Sequence, residues 1–274
     1  MTTMIHAHHL PARLLCACAL TLAIGFGLPA SAVAQVETAS GADAASKSSP
    51  PVDFKASRVE IRNEYQDLQG GGTIDYLVPR FDFSAGPDLS FRIETPIVFA
   101  DPNVPGNNGE SGIGDLLFRG SYRFAHGPGY AIVAGSELIL NSASKDSLGK
   151  GKNVIAPLVF ASIDVPQCNS VVFPFLQHYL TLGGDDGRPD VHYTSLKAAF
   201  LTRWSNLVYT IIEPQMVVDH VRADKVGMTL EGEVGRFLNR DLAIWGRPGL
   251  GLFGDNLPQV YDWKLEVGVR FFLK

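Results

Sequence analysis

Cysteine is scarce in this chain, and what there is sits where it cannot staple a fold. Cys16 and Cys18 fall in the N-terminal apolar stretch, so once that stretch is removed only Cys168 remains and no intramolecular disulfide can form. Long apolar runs are missing as well. Beyond the N-terminus nothing approaches the ~20 consecutive apolar residues of a membrane-spanning helix. Basic charge is in deficit, with 23 Lys and Arg against 28 Asp and Glu, which argues against nucleic acid as a partner. Phosphate-cradling loops are absent too: Gly70-Gly71-Gly72 and Gly149-Lys150-Gly151-Lys152 lack a preceding strand and following helix and read as turns.

At the N-terminus, Arg13 precedes an apolar stretch from Leu14 to Leu28 and then Pro29-Ala30-Ser31-Ala32-Val33-Ala34-Gln35. This order predicts a secretory signal peptide over residues 1–34, cut after Ala34, with Ala30-Ser31-Ala32 as a second small-residue pattern. A retained anchor is the alternative, disfavoured by the short apolar core. Only Arg13 among the charged residues leaves with the signal, so the formal net charge moves from −5 to −6. Residues 35–57 are rich in Ala, Ser, Gly and Pro and cannot bury enough apolar surface to order themselves, which predicts a flexible periplasmic leader.

What is present is alternation. From Tyr261 the odd positions are Tyr261, Trp263, Leu265, Val267, Val269, Phe271 and Leu273, and the even ones include Asp262, Lys264, Glu266 and Arg270. Side chains of a strand point alternately to opposite faces, so this is a strand with one apolar and one charged wall, long enough to cross a bilayer. An amphipathic strand of a soluble sandwich would look similar, and the rest of the chain has to decide.

Segments of roughly ten to fourteen residues repeat the pattern from Arg58 to the end, separated by turn signals, and they number twelve. Their longest connections, 101–111, 141–152 and 183–190, all fall on one side. An even strand number, short turns on one rim and long loops on the other predict a single up-and-down antiparallel transmembrane β-barrel over residues 58–274, with both termini periplasmic. A soluble sandwich has no reason to sort its loops this way. Segments near 153–165 and 171–182 are apolar on both faces, and alternation does not assign them. Tyr122, Phe124, Tyr130, Trp204, Tyr261, Trp263, Phe271 and Phe272 suit aromatic girdles at the membrane interfaces, or are ordinary packed aromatics.

With apolar residues facing lipid, the charged ones face the lumen. The expected lining is Arg92, Glu94, Arg119, Arg123, Glu137, Glu213, Glu231, Glu233, Arg247, Lys264, Glu266 and Arg270. Such a mixed-sign interior in a bore narrower than a sixteen-stranded porin would cross-link itself. It could be a selective conduit or structural filling.

Other chemistry is sparse. His178, His192 and Ser195 invite comparison with a barrel lipase, but His192 and Ser195 are an odd number apart and point to opposite faces of a regular strand. Asp185, Asp186 and Asp190 in one loop could hold calcium or bridge to lipopolysaccharide through it; a solvated acidic loop is the alternative. No catalytic, metal or cofactor-binding residue is assigned.

The run Gly112-Ile113-Gly114-Asp115-Leu116-Leu117-Phe118-Arg119-Gly120-Ser121-Tyr122-Arg123-Phe124, with Gly135-Ser136-Glu137-Leu138-Ile139-Leu140 and residues 143–152, resembles a known pattern. It is similar to the outer-membrane family linked to the meta-cleavage pathway of phenol degradation, whose members are described as transporters. The resemblance implies a small β-barrel and passage of hydrophobic or aromatic compounds, and it brings no established catalytic residues. Asn141 stands where that pattern carries proline, and the chain ends in Phe271-Phe272-Leu273-Lys274 instead of on a terminal aromatic. The resulting expectation is a non-enzymatic outer-membrane channel for small, hydrophobic or aromatic solutes. Its partners would be outer-membrane lipid and lipopolysaccharide, the solute, and the barrel-assembly machinery during insertion. A lipid-modifying enzyme and a structural or adhesive envelope protein are the rivals.

Overall fold

A computed structural model describes residues 56–103, 109–204, 207–255 and 257–273. The signal peptide and, apart from Ala56 and Ser57, the leader lie outside them. The strands are β1 (Arg58–Leu68), β2 (Thr73–Ser84), β3 (Leu89–Glu94), β4 (Ile97–Asp101), β5 (Glu110–Ile113), β6 (Leu117–Gly127), β7 (Tyr130–Ile139), β8 (Lys152–Val165), β9 (Ser170–Gly184), β10 (His192–Arg203), β11 (Val208–Asp219), β12 (Lys225–Phe237), β13 (Leu242–Phe253) and β14 (Tyr261–Phe272).

The fourteen segments make twelve crossings of one closed antiparallel barrel, because two crossings are each interrupted. Closure is made by β1, which pairs with β2 and also with β14, from Arg58 opposite Phe272 to Asp67 opposite Trp263. Every crossing therefore has a partner on both sides, which is what a sheet needs where no water can satisfy an edge.

The alternation decides the faces. Leu265, Val267 and Phe271 are exposed on the outside, while Lys264, Glu266 and Arg270 are buried within. The same division gives an apolar outer wall that includes Phe81, Ile93, Phe118, Leu196 and Leu230. An apolar surface of this extent belongs in hydrocarbon.

Two aromatic residues of the last strand leave the expected girdle. Trp263 stands opposite Asp67 but Tyr261 opposite Leu68, so the register slips by one residue at Asp262. This bulge turns Tyr261 inward, where it is buried, and takes it out of the expected girdle. Phe272 is also inward, packed with Phe237 and Tyr209. Tyr122, Phe124, Tyr130, Trp204, Trp263 and Phe271 remain on the outside.

The interruptions have local causes. Between β3 and β4 stands Pro96, which has no N–H to give the ladder, so β2 pairs with β3 through Arg80 to Ser84 and separately with β4 through Thr73 to Leu77. Between β5 and β6 the chain steps through Gly114, Asp115 and Leu116. Cys168 lies in a 3-10 turn (Pro166–Cys168) between β8 and β9. The other cysteines, Cys16 and Cys18, lie outside the described residues.

Candidate functional site

The inward faces enclose a cavity of about 590 Å³ with two chemically different walls. On β1 to β3 and β11 to β14 the inward positions carry charge. Glu60 receives Arg270 at 2.5 Å and Arg80 at 3.4 Å. Glu233 receives Arg247 at 2.8 Å and the Tyr209 hydroxyl at 2.8 Å. Glu231 receives Lys264 at 2.7 Å, Arg247 at 3.2 Å and the Tyr261 hydroxyl at 2.8 Å. Asp82 gathers Arg58 and Arg80 at 2.9 Å and Arg92 at 2.7 Å, and Arg62 reaches Glu94 at 3.0 Å. On β6 and β7, Arg119 pairs with Glu137, whose other oxygen accepts from the Gln177 amide at 2.6 Å. Most of these charges therefore share two or more partners, which offsets much of their desolvation.

The wall formed by β8 to β10 is aromatic. Phe160, Phe173, Phe175, Tyr179 and Tyr193 all line the cavity. Phe160 and Phe175 stack with centroids 5.8 Å apart, and Tyr179 and Tyr193 stack at 4.2 Å. The Arg119 guanidinium sits 6.0 Å over the Phe175 ring, where the two walls meet. This wall explains why β8 and β9 are apolar on both faces: one side meets hydrocarbon, the other the lumen.

Both ends of the cavity are narrowed. At the end carrying the barrel's termini, Leu201, Tyr209, Ile211, Phe237 and Phe272 form a buried apolar floor. At the opposite end the loop between β7 and β8 folds inward. Asp115 holds it, its carboxylate accepting from the backbone N–H groups of Ser142 at 3.2 Å, Ala143 at 3.1 Å and Lys150 at 2.7 Å. Leu148 is thereby buried on the lumen side of β4 and β5. A Cβ on Gly112 would overlap Ser144 Oγ and stand 2.9 Å from Leu148 Cδ1, and one on Gly114 would stand 3.3 Å from the Leu148 carbonyl oxygen, so glycine at both positions makes room for the loop. From across the barrel residues 257–260 fold in as well. Leu257 and Val260 pack over Gly227, where a Cβ would come within 2.8 and 2.6 Å of them.

Of the expected lining residues, all but Arg123 border the cavity. Arg123 lies at the terminal end, donating to Asp88 at 2.9 Å and to the Pro87 carbonyl at 2.9 Å, so it closes the turn between β2 and β3. The expectation omitted Glu60, Arg62, Arg80, Asp82 and Lys197, though the alternation of β1, β2 and β10 carries the same signal. Tyr209, Tyr261 and the aromatic wall gave none, since an inward aromatic is indistinguishable by pattern from an outward one. His192 faces outward, whereas Ser195 is buried inward and accepts from Gln215 at 3.2 Å. In the acidic loop Asp190 pairs with Lys152 at 3.0 Å and Asp185 accepts the Gly187 N–H at 2.9 Å.

Solved structures place this architecture. A KdgM porin in complex with disordered oligogalacturonate is similar, with a TM-score of 0.57 and 12% identity over 79% of this chain and 99% of that one. An outer membrane channel from Pseudomonas putida F1 gives a TM-score of 0.61 and 11% identity, over 85% of this chain and 100% of that one. The fold is that of an outer-membrane β-barrel. NanC porin shares it too, with a TM-score of 0.58 and 9% identity over 78% of this chain and all of that one. At these identities the likeness is one of fold. No family model matches the sequence, and no curated protein does. In this fold the end carrying the termini is the periplasmic one and the long-loop end the extracellular one.

Proposed function

We propose that the protein is a passive, non-enzymatic outer-membrane channel for small solutes that have an aromatic or hydrophobic part and a polar part. The observation that carries this reading is the divided lumen. Stacked phenyl and phenol rings of β8 to β10 offer an apolar track, and paired charges on the other side offer hydrogen bonds to a polar substituent. A purely hydrophilic solute would use only half of that surface. The resemblance of residues 112–124, 135–140 and 143–152 to the family linked to phenol degradation supports the same solute class. The narrowed ends mean that the flux is small and confined to small molecules.

Swelling of proteoliposomes and uptake by a deletion strain test this. Simple phenols and aromatic carboxylates should enter faster than sugars of equal mass, and Phe175→Ser with Tyr179→Ser should remove the preference. Equal entry of sugars and aromatics through the unaltered barrel would refute the aromatic track. No entry of either would favour a purely structural barrel.

A further inference from the structure

Three histidines on the outward wall have no part in the lumen. His178 of β9 lies opposite Thr194 of β10, and His192 is two residues before Thr194 on the same face. Val218 of β11 also lies opposite Thr194, and His220, two residues on, donates its backbone N–H to the His192 carbonyl at 2.9 Å. Three neighbouring crossings thus deliver three imidazoles to one spot at the long-loop rim. Their ring centroids are 4.7 to 5.7 Å apart, and one ring nitrogen from each lies within 4.8 Å of the others.

The groups around them fix the protons. Asp224 lies 2.5 Å from His220 Nδ1, and as an acceptor it holds the proton there, leaving a lone pair on Nε2. The Thr194 hydroxyl bridges His220 Nε2 at 2.9 Å and His178 Nδ1 at 2.8 Å. A hydroxyl with one hydrogen can donate to the lone pair of His220 and accept from His178 Nδ1–H. That leaves His178 Nε2 unprotonated. Carboxylate, imidazole and a converging lone pair are the arrangement that orients metal-ligating histidines. An anion is a poor fit, because neutral imidazoles backed by a carboxylate present no positive field.

We propose that His178, His192 and His220 bind a divalent transition-metal ion on the outer wall, with Asp224 positioning His220. Three imidazoles select zinc, copper or nickel over calcium and magnesium. Nitrogens at about 2.0–2.1 Å from such an ion are closer together than 4.8 Å, so the rings rotate inward on binding and the Thr194 hydroxyl lets go. Three protein ligands leave a coordination position for water, or for a phosphate oxygen of the surrounding lipopolysaccharide. The ion ties β9, β10 and the turn after β11 together.

Calorimetric titration of Zn²⁺ into the refolded barrel, made without a histidine tag and held in detergent, tests the site. One ion per barrel should bind, and Co²⁺ should give the visible absorption of a tetrahedral nitrogen site. His192→Ala and the His178→Ala/His220→Ala pair should abolish both signals. Asp224→Asn should weaken Zn²⁺ roughly 10- to 100-fold, and His126→Ala, at the opposite rim, should change nothing. Heat-dependent gel mobility checks that every variant has folded. No saturable binding, or binding unchanged in folded variants lacking the three imidazoles, would overturn the proposal. A phosphate oxygen as the fourth ligand predicts tighter Zn²⁺ binding in lipopolysaccharide micelles; equal affinity there assigns that position to water.

Discussion

Removing a carboxylate from the lumen should have very different effects depending on how many cations depend on it. Glu137 is buried at 4% exposure and is the ion-pair partner of Arg119, for which no second carboxylate lies within 4.0 Å among the described residues. Glu137→Ala therefore strands a mostly buried guanidinium and the Gln177 amide, and should cost about 3–5 kcal/mol. Glu233 is buried more deeply still, at 1%, yet its loss leaves Arg247 with Glu231 at 3.2 Å and Arg270 with Glu60 at 2.5 Å. With both cations still paired, Glu233→Ala should cost only about 1–3 kcal/mol. Depth of burial alone would give the opposite order. The measurement is a urea titration of the barrel refolded into lipid vesicles, following the folded band on unheated gels. Arg119→Met with Glu137→Leu should recover most of the stability lost by Glu137→Ala, because neither partner is then left charged and buried. A Glu233→Ala loss equal to or above that of Glu137→Ala, or a double variant no more stable than the single, would refute the reasoning.

Other perturbations address the wall, the path and the mouth. Leu265→Arg, on the outer wall, should impair assembly by about 2–4 kcal/mol, and Glu266→Gln far less; refolding yields in the reverse order would mean the faces are exchanged. Glu231→Gln with Glu233→Gln should shift ion preference towards anions, since Arg247 and Lys264 lose neutralising partners; an unchanged reversal potential in planar bilayers would place those carboxylates off the path. Asp115→Ala removes the carboxylate that accepts from three backbone N–H groups of the loop between β7 and β8, so single-channel conductance should rise. A fall or no change would show that the loop does not limit passage.

The crossings were legible in the sequence because a wall between lipid and charge writes itself as alternation, and β3, or β14 from Trp263 onward, can be read residue by residue. The signal fails where the lumen is itself apolar. Phe173, Phe175 and Tyr179 of β9 share their strand with outward Leu176 and Leu182, and nothing in the pattern separates them. Nor does alternation foresee the slip at Asp262 that sends Tyr261 inward, since a bulge is one residue of extra backbone and not a residue type. His220 went unnoticed beside His178 and His192 because it lies in the chain beyond an intervening strand. Only the register of β10 with β11 brings it close.

Two of the stretches by which the chain resembles a family in sequence meet in space, Gly112 to Asp115 in the wall and 143–152 in the loop. The loop fixes itself in part, since its Ser142 hydroxyl accepts from the Leu116 N–H at 2.9 Å and its Ser144 hydroxyl from the Ile113 N–H at 3.0 Å. It is pinned by a carboxylate in the wall and admitted by two glycines in the wall. Aperture is consequently a property inherited through the strands: the loop's other side chains can drift, changing what a visiting molecule touches, while the diameter of the entrance stays the same. A single substitution at Asp115 would do the reverse, altering how wide the door stands without altering its lining.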